Sequence, residues 1–353
     1  MVTSYIESNV KRTNRNLFLS NAVLLIGVVA VALLTSRYLY NVLSGPFVMD
    51  RQTLLNLKDV NNLDQYYVSL NGDQTLDTGV NEITTETTNG VTTSQQVSAN
   101  YVALAFNQRL LLVRAPVNYT GTLFTGSLQP IPSDVQQGIV DKLVNQEPQL
   151  KNVFFPFMLN AADDFSTWGY VEMVAGVLLA GLAIWNLIKF LQRSTNPTAH
   201  PLYRTLAAYG PAESVVASVD AEATGPSAMR LGSTLITPHW LLHHSAFVVK
   251  AVRLDDLVWV YTKITQHRVY GIKTNKTYSI MMLTNQGRSI EIRAKNKQVT
   301  DIDSNVIQRA PWVLAGYTPE RAKTWRASRQ AMIKIVADRQ HELRTQATQA
   351  ASG

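Results

Sequence analysis

The sequence contains no cysteine. Disulfides, thiolate nucleophiles, cysteine-ligated zinc and iron–sulfur clusters are therefore excluded. Charge is also scarce: Asp, Glu, Lys and Arg make up 16% of the chain, against about 25% in typical soluble domains. That deficit fits a membrane protein with sizeable water-facing parts. Histidine is missing from the whole stretch 37–168, which rules out imidazole catalysis and histidine-ligated metal there. No G-x-S-x-G elbow is present, so a serine hydrolase of that type has no nucleophile. No two histidines flank a glutamate in the zincin spacing.

What the chain does have is two long apolar runs. Residues 170–191 carry only Glu172 near the start and Lys189 near the end. At about 1.5 Å per residue this run crosses a hydrocarbon core of about 30 Å as a helix. Residues 17–34 carry no charge at all and lead into Arg37, Tyr38 and Tyr40, an interfacial belt. A cleaved signal peptide would end sooner, at a small-residue site. Two transmembrane helices are expected, with Asn186 and Ser20 available to bond between them. Glu172 is expected at the outer interface, where it stays wet.

Charge then sets direction. The net charge is +2 before the first run, −5 over 35–168 and +11 over 189–353. Basic residues concentrate on the cytosolic side of membrane proteins. Both termini are accordingly expected in the cytosol of a plasma (inner) membrane, with the middle outside. The expected layout is a cytosolic segment (1–16), span one (17–36), an extracytosolic β-rich domain (37–168), span two (169–191), a linker with a short helix (192–212), a cytosolic β domain (213–317) and a basic amphipathic C-terminal helix and tail (318–353).

The outer region alternates short apolar and polar stretches. A Thr-rich pair of strands flanks Asn89-Gly90, a turn suited to a hairpin; another flanks Asn107-Gln108. Five to seven short strands predict a small barrel or sandwich. A helix is expected over 133–145 with Ser133 as N-cap, and the apolar segment 150–158 is expected to return to the membrane. Asp163 and Asp164 stand alone without spaced calcium ligands and read as a solvated turn.

The inner region predicts a helix ending at Gly210, strands over 214–219, 232–237, 240–244, 247–253 and 257–266, a basic turn over 273–277, a further hairpin, and a helix over 297–309 with Val299, Ile302 and Val306 on one side. His239, His243 and His244 invite a zinc reading, but no carboxylate lies near them in sequence, and strand or turn roles fit better. The stretch 271–277 mimics the end of a phosphate-binding loop without its glycines. Residues 318–346 predict one unbroken helix opened by Thr318 and Pro319, with Ala322, Trp325, Met332, Val336 and Leu343 on a stripe. That helix could lie on a membrane, bind a partner, self-associate or dock on its own domain.

Many antiparallel strands closed by one helix is the order of a pleckstrin-homology-like domain. Residues 230–293, with STLITPHWLL and LDDLVWVYTK, resemble the bacterial pleckstrin-homology-like domains found beside membrane spans. The whole chain resembles uncharacterised bacterial two-span proteins through RYLYN, YYVSLNGD, NGVTTSQQVSANY, HPLYRTLAAYG, VWVYTKITQHR, TNKTYS and APWVLAGY. The resemblance implies an α+β membrane protein and offers no catalytic residues, no cofactor and no metal. By analogy it implies lipid-headgroup binding at Arg268, Lys273 and Lys276, facing an anionic leaflet. The expected role is a non-enzymatic membrane scaffold or sensor; an assembly or envelope-maintenance factor of a larger membrane complex is the alternative. The expected partners are the bilayer, anionic headgroups and other membrane proteins or further copies of the chain. The acidic middle excludes nucleic acid.

Overall fold

The computed structural model describes residues 4–88, 91–270 and 272–352. The chain forms two compact units: a central unit of residues 23–183, and a terminal unit that joins residues 1–22 to 184–353. Two helices, α1 (Tyr5–Leu34) and α6 (Thr167–Thr195), are long and apolar enough to cross a membrane. They leave Val23, Ile26, Leu33, Val174, Val177 and Leu178 exposed. Side chains of this kind suit lipid as their solvent. α1 begins well before its apolar run because its first turns are anchored. Asp220 accepts from the Ile6 N–H at 2.9 Å and from the Ser4 hydroxyl, and Ile6 and Val10 are buried.

The central unit follows α1. Helix α2 (Ser36–Ser44), strand β1 (Phe47–Val48) and helix α3 (Arg51–Asn56) lead into the sheet. Asp50 caps α3 by accepting from the Thr53 N–H. The strands are β2 (Tyr67–Asn71), β3 (Gln74–Thr88), β4 (Val91–Phe106), β5 (Arg109–Ala115), β6 (Leu123–Pro130) and β7 (Phe154–Asn160). Before β7 come α4 (Ser133–Val135), a π turn and α5 (Asp141–Gln146). The β3–β4 pairing is as expected, while its Asn89-Gly90 turn lies outside the described residues.

All seven strands form one sheet in the order β1-β2-β6-β7-β5-β4-β3. It is open, not the closed barrel or sandwich expected. β7 enters the middle, parallel to β5 and antiparallel to β6, which leaves β1 and β3 at opposite edges. β7 also corrects the expectation that 150–158 returns to the membrane. Phe155, Phe157 and Leu159 pack into one core with Leu70, Leu104 and Leu111. Met158 faces the other way, onto Tyr101, Ile139 and Val140. A strand buried on both faces reads as a continuous apolar run, which is why it imitates a membrane segment. Gly126 lets β6 approach this strand: a Cβ there would lie 2.2 Å from the Asn160 carbonyl oxygen. The helix expected over 133–145 is present but irregular, and Pro132, not Ser133, precedes its first turn.

The terminal unit continues from α6 through α7 (Pro201–Leu206) and α8 (Ala212–Thr224). α8 corrects the strand expected over 214–219. Three valines suggested a strand, but Pro211 before the first turn, Glu213 within it and four alanines favour a helix. Its buried side then packs Val215, Val216 and Val219 against α7 and the α1 start. Strands β8 (Met229–Leu231), β9 (Thr234–Ile236), β10 (Trp240–His244) and β11 (Val249–Arg253) form one antiparallel sheet. Strands β12 (Leu257–Val269), β13 (Ile272–Thr284), β14 (Ser289–Ala294) and β15 (Leu314–Ala315) form another. Helix α9 (Asn296–Arg309) buries Val299, Ile302 and Val306 with Leu241, Val252, Ile280 and Met282, as the 3.6-residue spacing predicts.

The last helix is not continuous. α10 (Pro319–Ala327) and α11 (Arg329–Ser352) meet at Ser328, which is non-helical at φ −151°, ψ 79°. Ala322, Met332 and Val336 are buried with Val258, Trp259 and Leu283. Of the four placements open to this segment, docking on its own domain is the one observed.

Candidate functional site

The three basic residues singled out from the sequence lie on the β12–β13 hairpin. Arg268 stands directly across from Lys273, and Lys276 across from Gln266. The turn is therefore nearer Tyr270 than expected, and 273–277 is strand. Gly271, part of the phosphate-loop mimic, lies outside the described residues. Tyr270 is fully exposed and adopts φ +47°. Like charges directly opposite one another destabilise a sheet. Among the described residues, neither Arg268, Lys273 nor Lys276 has a carboxylate within 4.0 Å; Glu291 is shared by Lys263 and Arg293 instead. Lys276 also lines a cleft of about 510 Å³ with Arg293 and Lys295. Those two residues were not singled out, because β14 and the α9 start are remote in sequence. The result is an exposed basic surface on which Arg268, Lys273 and Lys276 have no carboxylate partner among the described residues.

A second cleft lies where α8 meets the β9–β10 turn. Glu222 accepts from the Thr237 hydroxyl at 2.6 Å and the His239 N–H at 3.0 Å, and its other oxygen lies 2.9 Å from His239 Nδ1. Burial opposes the charge on Glu222, but the bonds from Thr237 and His239 outweigh it and hold the carboxyl below the usual range. The cleft, about 420 Å³, is also lined by Tyr209, Ser214, Ser218 and Arg253. Sequence reasoning missed this pair because 214–219 reads as a strand. The helical spacing of Val215, Val219 and Glu222 was the available signal. Glu222 spends its oxygens on one turn, so the pair acts as a tie.

The other histidines diverge. His243 is buried and bonds Thr234 at 2.9 Å; His244 meets Arg12; buried His200 caps α7 by accepting from the Leu202 N–H at 3.2 Å. Desolvation lowers both His200 and His243 to about 4. Among the described residues, no three His, Asp or Glu converge as metal ligands.

In the central unit Arg114 is the hub. It binds both Glu82 oxygens at 2.7 and 2.8 Å and Asp163 at 2.6 Å. These bonds hold Glu82 down at about 2. Asp163 therefore belongs to an ion network, while Asp164 accepts from the Ser166 and Thr167 N–H groups at the α6 start. Glu172 accepts from the Thr35 hydroxyl at 2.5 Å, at the end of α1. At the other ends of the two helices Asn186 bonds Asn21 at 3.1 Å, not Ser20 as expected, and Phe18 packs on Phe190.

Residues 205–325 match the model of a family described as a domain of unknown function, DUF6709. The matched stretch contains the Glu222–His239 cleft and all of the basic hairpin. No curated protein matches the chain.

Proposed function

We propose that this protein is a non-enzymatic membrane scaffold or sensor that couples an extracytosolic β domain to a cytosolic pleckstrin-homology-like domain. The observation that carries this reading is the division of the chain: each compact unit owns one end of both apolar helices. The strands β8 to β14 followed by α9 support the pleckstrin-homology-like part of it. The +11 charge of 189–353 against −5 for 35–168 supports the orientation.

On this reading the hairpin is the contact with anionic lipid headgroups. Arg268, Lys273 and Lys276 each contribute about 1 kcal/mol of attraction near such a leaflet. A bound phosphate would also relieve the Arg268–Lys273 repulsion. The test is hydrogen exchange of the full chain in nanodiscs. Amides of 266–278 slow when phosphatidylglycerol replaces half of the phosphatidylcholine, and the double substitution K273Q/K276Q removes the effect. Equal exchange in both lipids overturns the headgroup site. Purification from native membranes in mild detergent tests the role itself. A fixed, stoichiometric set of companion subunits would instead favour an assembly or envelope-maintenance factor.

A further inference from the structure

The turn between β10 and β11 carries two large apolar side chains that the fold leaves uncovered. Phe247 is 49% exposed and Val248 46%. The turn itself is well bonded: the Ser245 N–H donates to the Val248 carbonyl at 2.8 Å, and the Val248 N–H to the Ser245 hydroxyl at 3.1 Å. Such a turn is stable with small polar residues, so its geometry does not call for phenylalanine.

Its place beside α1 is informative. Arg12 contacts His244, and one turn later Asn16 donates to the Ala246 carbonyl at 2.8 Å. The next residue of α1 is Leu17, where the uncharged run begins. Phe247, adjacent to Ala246, thus sits at the level where α1 changes from polar to apolar. Phe18 and Leu19 are exposed at that level too. Lys11 and Arg15 are exposed on the preceding turns of α1. Apolar tips continuous with a span and flanked by basic residues match the chemistry of a bilayer interface.

We propose that Phe247 and Val248 insert into the membrane surface beside the entry point of α1. The terminal unit is then held by a further contact besides the two spans and the basic hairpin, which fixes its orientation against the bilayer. This rests on the reading of α1 and α6 as membrane spans.

The cysteine-free chain allows a direct test. Nitroxide labels are placed singly at F247C, V248C, V23C and A347C in the full chain, reconstituted in vesicles of phosphatidylcholine and phosphatidylglycerol. V23C reports an exposed position within α1. A347C lies one turn beyond Arg344, which approaches Asp255 at 3.6 Å at the opposite end of β11, and reports water. The expected result is an oxygen-to-nickel accessibility ratio at F247C and V248C several-fold above A347C and close to V23C. A ratio at both equal to A347C, with V23C still in lipid, overturns the insertion alone. Shielding of both from oxygen and nickel alike also overturns it, by placing protein over the turn. An aqueous ratio at V23C overturns the spans, and the insertion with them.

Discussion

His200 and His243 are buried as neutral groups, and this makes them two of the residues through which acid acts on the terminal unit. Their pKa values are lowered to about 4 by desolvation, with Arg193 and Lys250 respectively adding to the effect. A histidine ordinarily titrates near 6.5. Below that pH the unfolded chain binds protons that the folded unit refuses, so stability falls as pH drops from about 6.5 towards 4. It is flat above 7. His200 also loses its role when protonated, because its ring nitrogen accepts the Leu202 N–H. The substitution His200→Asn keeps a capping acceptor without a titrating group. It is expected to leave the unfolding midpoint near its original value at pH 7.5 and to shrink the fall by pH 5, as read by circular dichroism of the detergent-solubilised chain. An unchanged pH profile would remove His200 from this account. The residue scale is also where the sequence is least legible. His239 meets Glu222, His243 meets Thr234 and His244 meets Arg12, three partners that its adjacent neighbours do not announce.

Among the elements, α11 is the one whose placement had most alternatives. Its stripe of Met332, Val336 and Leu343 was visible as a 3.6-residue pattern. What the stripe covers was not, since a membrane, a partner and a sheet all accept an apolar face. The structure divides the stripe: Met332 and Val336 are buried, and Leu343 is exposed. Met332→Ala is expected to cost about 2–5 kcal/mol, the usual range for a buried methionine. Leu343→Ala is expected to stay within about 0.5 kcal/mol. Limited proteolysis of α11 checks both, with faster cleavage only for M332A; equal sensitivity would mean that the helix is not docked. Strand β7 and helix α8 teach the same lesson. The apolar run of β7 suits a membrane segment and a central strand equally, and the valines of α8 suit strand and helix. Neither choice is local.

For the whole molecule, the charge asymmetry makes the strongest statement. If the spans place the two units on opposite faces, single cysteines introduced at exposed Thr85 and Ala347 are labelled from opposite sides by a membrane-impermeant maleimide. In intact cells T85C is expected to react and A347C to react only after lysis. Reaction of both from outside would end the two-span reading and the proposed function with it. Opposite reactivity, A347C from outside and T85C only after lysis, would invert the orientation and place the basic hairpin away from the cytosolic leaflet.

The sequence by itself determined the two apolar helices, the β-rich regions around them and the amphipathic helix α9, because each is set by local composition and by periods that a single segment carries. It also marked Arg268, Lys273 and Lys276 as a basic stretch. Only the tertiary structure decided that the seven-stranded sheet stays open, that β7 fills its centre, that Lys276 shares a cleft with Arg293 and Lys295, and that Ala246, the neighbour of Phe247, bonds Asn16. Those outcomes depend on pairings between residues far apart in the chain. Their free energy comes from burial and hydrogen bonds that exist only once the distant partners have met.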